Sequence, residues 1–144
     1  MSTKKISIQK NQPVIKCDSV YKIFGDNAKK LLQAADGKVD AKEFQDAGCV
    51  VGVNSASFEV YEGEMLVVMG LSGSGKSTLL RCISRLTETT AGKIYIDGED
   101  LLALNSKELI ELRRNKMGMV FQSFALLPHK TVLENIAFPL QVKG

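Results

Sequence analysis

Eight consecutive residues, Gly70-Leu71-Ser72-Gly73-Ser74-Gly75-Lys76-Ser77, follow the pattern G-x-x-x-x-G-K-[ST]. Their types suit one task, wrapping a chain of phosphates. Gly70, Gly73 and Gly75 let the backbone take positive φ and turn successive N–H groups toward an anion with no Cβ in the way. The N–H groups of Leu71, Ser72 and Ser74 belong to the same cradle, and a helix opening at Lys76, Ser77 and Thr78 adds unpaired N–H groups and the positive end of its dipole. Lys76 is the mobile charge for β- and γ-phosphates and the first candidate catalytic residue. The Ser77 hydroxyl is a candidate Mg²⁺ ligand. An accidental Gly/Ser turn of this pattern in a chain this long is on the order of one in two hundred.

A phosphate loop works only if a strand delivers it and a helix leaves it. Glu64 to Met69 is a short apolar run that predicts a buried strand, and Thr78 to Ile83 continues as a helix. Upstream, Val14 to Val20 predicts a strand followed by a loop through Tyr21 to Gly25. Residues 26–48 read as a polar helical insert: Ala28, Leu31, Leu32 and Ala35 have helical spacing, Asp36-Gly37 breaks it, and Ala41 to Ala47 starts again. Val50 to Val60 resumes strand character and Glu62-Gly63-Glu64 turns the chain into the phosphate-loop strand. Downstream, Lys93 to Gly98 is an alternating strand closed by a tight turn, with Asp97 and Glu99 read as turn carboxylates. Ser106 to Arg114 is an amphipathic helix with Ser106 as N-cap, Met117 to Phe121 a buried strand, and Thr131 to Ala137 a helix stopped before Phe138-Pro139. This order predicts an α/β nucleotide-binding core with an antiparallel β subdomain.

Composition sets the limits. The 144 residues are 44% hydrophobic and 24% charged, enough for one domain with a real core. A net charge of +3 is too small to argue for nucleic acid, and the Arg113, Arg114, Lys116 cluster reads as a solvated helix end. No apolar run approaches bilayer length. The N-terminus has basic residues with no apolar segment after them, so a secretory signal is not expected. Cys17, Cys49 and Cys82 are widely spaced and odd in number, as spectator thiols in a reducing compartment would be.

Beyond the phosphate loop the chain resembles the ATP-binding subunits of ABC transporters. Val20-Tyr21-Lys22-Ile23-Phe24-Gly25 is similar to that family's A-loop, Gly92 to Gly98 to the strand and turn after the phosphate-loop helix, and residues 121–129, Phe121 to His129, to its Q-loop. The run Met69 to Gly75, the Gln122-Ser123-Phe124-Ala125-Leu126 run and the helical insert most resemble importers of glycine betaine, proline betaine and related quaternary ammonium osmolytes. The resemblance implies a P-loop NTPase fold and the cofactors ATP and Mg²⁺. It implies that Phe24 stacks on adenine, with Tyr21 competing for the role and a core aromatic as the alternative, and that Gln122 acts in catalysis and toward Mg²⁺. It places His129, the sole histidine, in a Pro-His turn and denies it a role as base. The partners implied are a second copy of the subunit, a transmembrane permease and, indirectly, a substrate-binding protein, with no nucleic acid, at the cytoplasmic face of the plasma membrane.

The family's signature motif, its Walker B acids and its switch histidine are not found before Gly144. The expectation is therefore the N-terminal portion of a longer subunit, inactive in hydrolysis when isolated. Other functions were weighed against osmolyte import: an ABC ATPase for another solute such as an amino acid, a soluble ABC-type ATPase acting on DNA or the ribosome, and a small-molecule P-loop kinase. The first of these shares every motif. The second carries a more basic face, and the third needs neither the A-loop aromatic nor the Phe-Gln strand end.

Overall fold

The computed structural model describes residues 12–121 and 126–143. They fall into two units, one ending at Leu104 and one starting at Asn105. In the first unit, strands β1 (Ile15–Phe24), β2 (Val50–Val60), β3 (Ala91–Ile96) and β4 (Glu99–Asp100) form a sheet of order β2-β1-β3-β4. Each neighbouring pair is antiparallel. This is the antiparallel β subdomain that the sequence predicts.

β1 is longer than expected. The segment Tyr21 to Phe24, read as loop, continues the ladder, with Ile23 opposite Val51 and Phe24 opposite Val50. Its buried residues are Cys17, Val20 and Ile23, a spacing of three where a flat strand would bury every second residue. Bulges account for the change of phase: the β1–β2 register shifts between Cys17 and Val20, and Ser19 sits there with φ of 48°. At the other end of the sheet, Asp97 and Gly98 both have positive φ and make the two-residue turn that pairs Ile96 with Glu99.

Between β1 and β2 lie helices α1 (Ala28–Ala34) and α2 (Ala41–Asp46), as the insert's periodicity predicts. α1 ends at Gly37, whose N–H reaches back to the Leu32 carbonyl at 3.1 Å; α2 is capped by the Asp40 carboxylate, which accepts from the N–H groups of Lys42 and Glu43. The insert has its own core. Ala28, Leu32 and Phe44 bury against Ile23 and Cys49, and Phe44 has no exposed surface. Tyr21 joins this cluster and donates its hydroxyl to the Gly37 carbonyl at 3.1 Å.

Helix α3 (Lys76–Ile83) follows the phosphate loop and packs Leu79 and Cys82 inward, in contact with β1 and β2. All three cysteines are buried and free. Burial pushes the Cys17 thiol up to about 11, its proximity to Cys82 adding a smaller push in the same direction. At pH 8 the native protein should therefore react with iodoacetamide at Cys17 far more slowly than the unfolded protein does. The sign for stability follows. The unfolded thiol ionises first, so stability falls as pH rises from the ordinary thiol range toward 11. Mass mapping of alkylated peptides, with and without denaturant, checks the first point; equal labelling of Cys17 in both states would refute it.

The second unit holds α4 (Ser106–Lys116) and α5 (Val132–Lys143). The N-cap of α4 is Asn105, not Ser106. The Asn105 side chain accepts from the N–H groups of Lys107 and Glu108 while the Glu108 carboxylate accepts from the Asn105 N–H. Such a reciprocal box satisfies three N–H groups at the start of the helix. α5 also departs from expectation, running through Pro139 to Lys143. Pro139 is exposed, so the carbonyl that loses its amide partner one turn back can take water instead.

Two expected buried strands are not strands. Glu64 to Met69 and Met117 to Phe121 carry no strand assignment, and Met65, Met69 and Val120 are 89%, 85% and 99% exposed. Apolarity alone does not make a strand, which needs a ladder partner. Among the described residues none pairs with either run.

Candidate functional site

All three glycines of the phosphate loop take positive φ, as their placement predicts. Gly73 and Gly75 sit in the left-handed region at φ of 79° and 88°. Gly70 has φ of 159°, and a Cβ there would also lie 2.6 Å from Ser74 Oγ. Gly75 meets both demands. It is the N-cap of α3, and a Cβ on it would collide with the Gly52 carbonyl oxygen at 1.9 Å. The loop is thus pressed directly onto the backbone of β2.

Lys76 curls back into this loop. Its ammonium donates to the Gly70 carbonyl at 2.8 Å, the Leu71 carbonyl at 2.6 Å and Ser74 Oγ at 3.3 Å. A positive charge is so held within the ring of backbone that an anion would enter. No side chain caps α3, and its first intrahelical bond runs from the Leu79 N–H to the Gly75 carbonyl at 2.8 Å. A loop with no room for a Cβ at Gly70 or Gly75, an uncapped helix start and a central ammonium fit a polyphosphate. Ser77 and Thr78 lie in the first turn of α3, Ser77 exposed and Thr78 half-buried. A groove of about 430 Å³ runs alongside, lined by Val51 to Asn54 of β2 and by Val68 to Gly70 and Ser74 to Lys76 of the loop. A second cleft of about 430 Å³ lies on the helical insert, around Leu31, Lys38 and Glu43, with none of the phosphate-loop residues in its lining.

Of the two aromatics competing for adenine, the structure brings Phe24 toward the loop. The position a Cβ would take on Gly52 is 2.9 Å from Phe24 Cε2 and 3.1 Å from Thr78 Cγ2, so the ring and the first turn of α3 share one patch of β2 backbone. Phe24 is 43% exposed, which argues against a core aromatic. Tyr21 is committed to the insert through Gly37. The sequence reading missed Lys22, whose ammonium stands 4.7 Å from the centroid of the Phe24 ring. Residues two apart in a strand share a face, and that spacing was the available signal.

Gln122, Phe124 and Ala125 lie outside the described residues. Within the rest of 121–129, Phe121, Leu126 and His129 are exposed and Leu127 is half-buried. Asn135 organises this stretch. Its side-chain oxygen accepts from the Leu127 N–H at 2.7 Å, and its amide donates to the carbonyls of Leu127, Lys130 and Thr131 at 3.0–3.1 Å. No sequence signal marked it.

The sequence profile described as ABC transporter matches residues 53–143. The chain belongs to the ABC transporter family. The trimethylamine N-oxide transport system ATP-binding protein TmoW of Pelagibacter ubique (strain HTCC1062) is 83% identical over 134 residues, which are 93% of this chain and 39% of that protein. The glycine betaine transport ATP-binding protein OpuAA of Bacillus subtilis (strain 168) is 50% identical over 140 residues, 96% of this chain and 34% of that protein. The chain therefore spans somewhat over a third of the length of these curated ABC relatives. Among solved structures, the ATP-binding cassette MJ0796, in a dimeric post-hydrolysis state bound to ADP and Pi, matches with a TM-score of 0.69 at 34% identity over 90% of this chain and 48% of that one. The fold class is accordingly the ABC-type P-loop NTPase, of which the described sheet is the antiparallel part. No helix among the described residues is long and apolar enough to cross a membrane.

Proposed function

We propose that this chain is the nucleotide-binding part of an ABC ATPase that energises import of a quaternary ammonium or amine oxide osmolyte. The observation that carries the nucleotide half is the Lys76 ammonium, held inside the loop at the uncapped start of α3. In this reading the loop residues 70–78 bind the phosphates of ATP through backbone N–H groups, with Lys76 as the charge that follows the γ-phosphate. Ser77 and Gln122 contribute to the Mg²⁺ shell. Mg²⁺ bound there neutralises phosphate charge and fixes the phosphate geometry. Phe24 takes the adenine.

The substrate half is supported by the names of the relatives. Those named for trimethylamine N-oxide and glycine betaine share one chemistry, a compact zwitterion with a trimethylated nitrogen. The ATPase partners are proposed to be a second copy, as in the dimeric cassette neighbour, and a transmembrane permease fed by a substrate-binding protein, with the ATPase peripheral at the cytoplasmic face. Import of another small solute is the reading to be tested against it. Uptake of labelled trimethylamine N-oxide and glycine betaine by the complete complex in ATP-loaded vesicles decides between them: accumulation of neither, with accumulation of an amino acid, would overturn the osmolyte reading.

Gln122→Ala in that complete complex is expected to leave ATP affinity within a few-fold while lowering turnover about tenfold or more. A residue that orients water or metal acts on the chemical step and not on ground-state binding. Unchanged transport by the reconstituted variant would remove Gln122 from the mechanism.

A further inference from the structure

We propose that Gly52 is a positioning residue for adenine, setting the distance between the Phe24 ring and the phosphate loop. This rests on the nucleotide-binding reading above. Gly52 is the third residue of β2 and its φ is outside the left-handed region, so nothing in its own backbone requires glycine. What requires it is crowding. A Cβ there would stand 2.9 Å from Phe24 Cε2, 3.1 Å from Thr78 Cγ2 and 3.3 Å from the Lys22 carbonyl oxygen. On the same residue the carbonyl oxygen abuts Gly75, where a Cβ would come within 1.9 Å.

Three parts of the site thus close on one bare stretch of backbone: the aromatic at the end of β1, the first turn of α3 and the N-cap glycine of the loop. Their mobilities differ. Gly75 and the Lys22 carbonyl are backbone, and Thr78 is fixed in a helix. The Phe24 ring is the far end of a side chain that can rotate, and it is half-exposed. A methyl group at position 52 therefore displaces the ring first and leaves the phosphate cradle in place. The Lys22 ammonium over the ring moves with it or loses contact. The base and the phosphates of one nucleotide are joined by a ribose of fixed span, so a ring shifted relative to the loop no longer stacks while the phosphates are seated.

The test uses the full-length subunit in Mg²⁺ buffer, with ATP and inorganic tripolyphosphate titrated separately by calorimetry. Tripolyphosphate reads the loop alone, and the difference between the two ligands reads the base. Gly52→Ala should weaken ATP about tenfold, the order of one lost aromatic stack, and leave tripolyphosphate within twofold. Phe24→Ala should do the same, and the double variant should bind ATP no more weakly than Phe24→Ala alone, because both substitutions remove one contact. Equal weakening of both ligands by Gly52→Ala would overturn the inference in favour of a merely structural role, as would an unchanged ATP affinity or additive losses in the double variant. If the unmodified subunit bound neither ligand, the nucleotide-binding reading itself would fall. If it bound both equally, the Phe24 assignment would fall and Gly52 with it.

Discussion

Lys76→Ala in the complete subunit is expected to reduce ATP hydrolysis by a factor on the order of 10² to 10³ or more, with the folded structure intact. The magnitude is that of deleting a charge aimed at developing phosphate charge. The confinement of the effect follows from geometry. Among the described residues the Lys76 ammonium bonds to Gly70, Leu71 and Ser74 of its own loop, whereas α3 is anchored by Leu79 and Cys82, which the substitution does not touch. Steady-state hydrolysis and a thermal melt, run on the same preparation, give the answer. A variant that hydrolyses ATP at the normal rate would end the phosphate-loop assignment; one that melts far below the parent would mean that the ammonium's bonds to the loop carbonyls hold more than the loop.

The largest expected loss of stability comes from elsewhere. Phe44 is fully buried at the centre of the insert's core, against Ala28, Leu32, Ile23 and Cys49. Phe44→Ala should cost about 3–5 kcal/mol, the range for emptying a ring-sized core site. Because α1 and α2 are only 7 and 6 residues long, neither can stay helical without that core. The loss should therefore show as local opening. Limited proteolysis should cut within residues 26–48 of the variant at protease levels that spare the parent. An unchanged cleavage pattern together with an unchanged melting point would show that the insert does not depend on Phe44.

What could be read beforehand divides along physical lines. The phosphate loop was legible because its chemistry is short-range: the glycines, Lys76 and the helix start act within nine residues. The helices of the insert were legible for the same reason, from the spacing of Ala28, Leu31, Leu32 and Ala35 and the break at Asp36-Gly37, whereas Phe44, the centre of its core, carried no mark of its own. The runs Glu64 to Met69 and Met117 to Phe121 failed because apolarity states what a segment would bury, and ladder pairing is a property of two segments. The long β1 was missed because the Ser19 bulge breaks the two-residue period on which strand reading depends. Asn105 lost to Ser106 on residue preference, although the N-x-x-E spacing to Glu108 was present. The role of Gly52 could not be seen at all in one dimension. It exists only where Phe24, from one part of the chain, and Gly75 and Thr78, from another, close on one residue of β2.

The last rung of the β1–β2 ladder joins Phe24 to Val50, so the chain leaves the sheet and comes back at the same point after residues 25–49. An excursion that ends where it began is topologically a hairpin turn that has been lengthened. Closing the same two strands with a four-residue turn would lower the loop-closure entropy cost by only about 1.6 kcal/mol, since that cost grows as the logarithm of length. The domain's plan thus accommodates the excursion at little expense and constrains its contents weakly, beyond the demand that something cover Ile23 and Cys49. That junction is the place in this chain where descendants can gain, lose or exchange a small folded module while the nucleotide-handling scaffold stays the same.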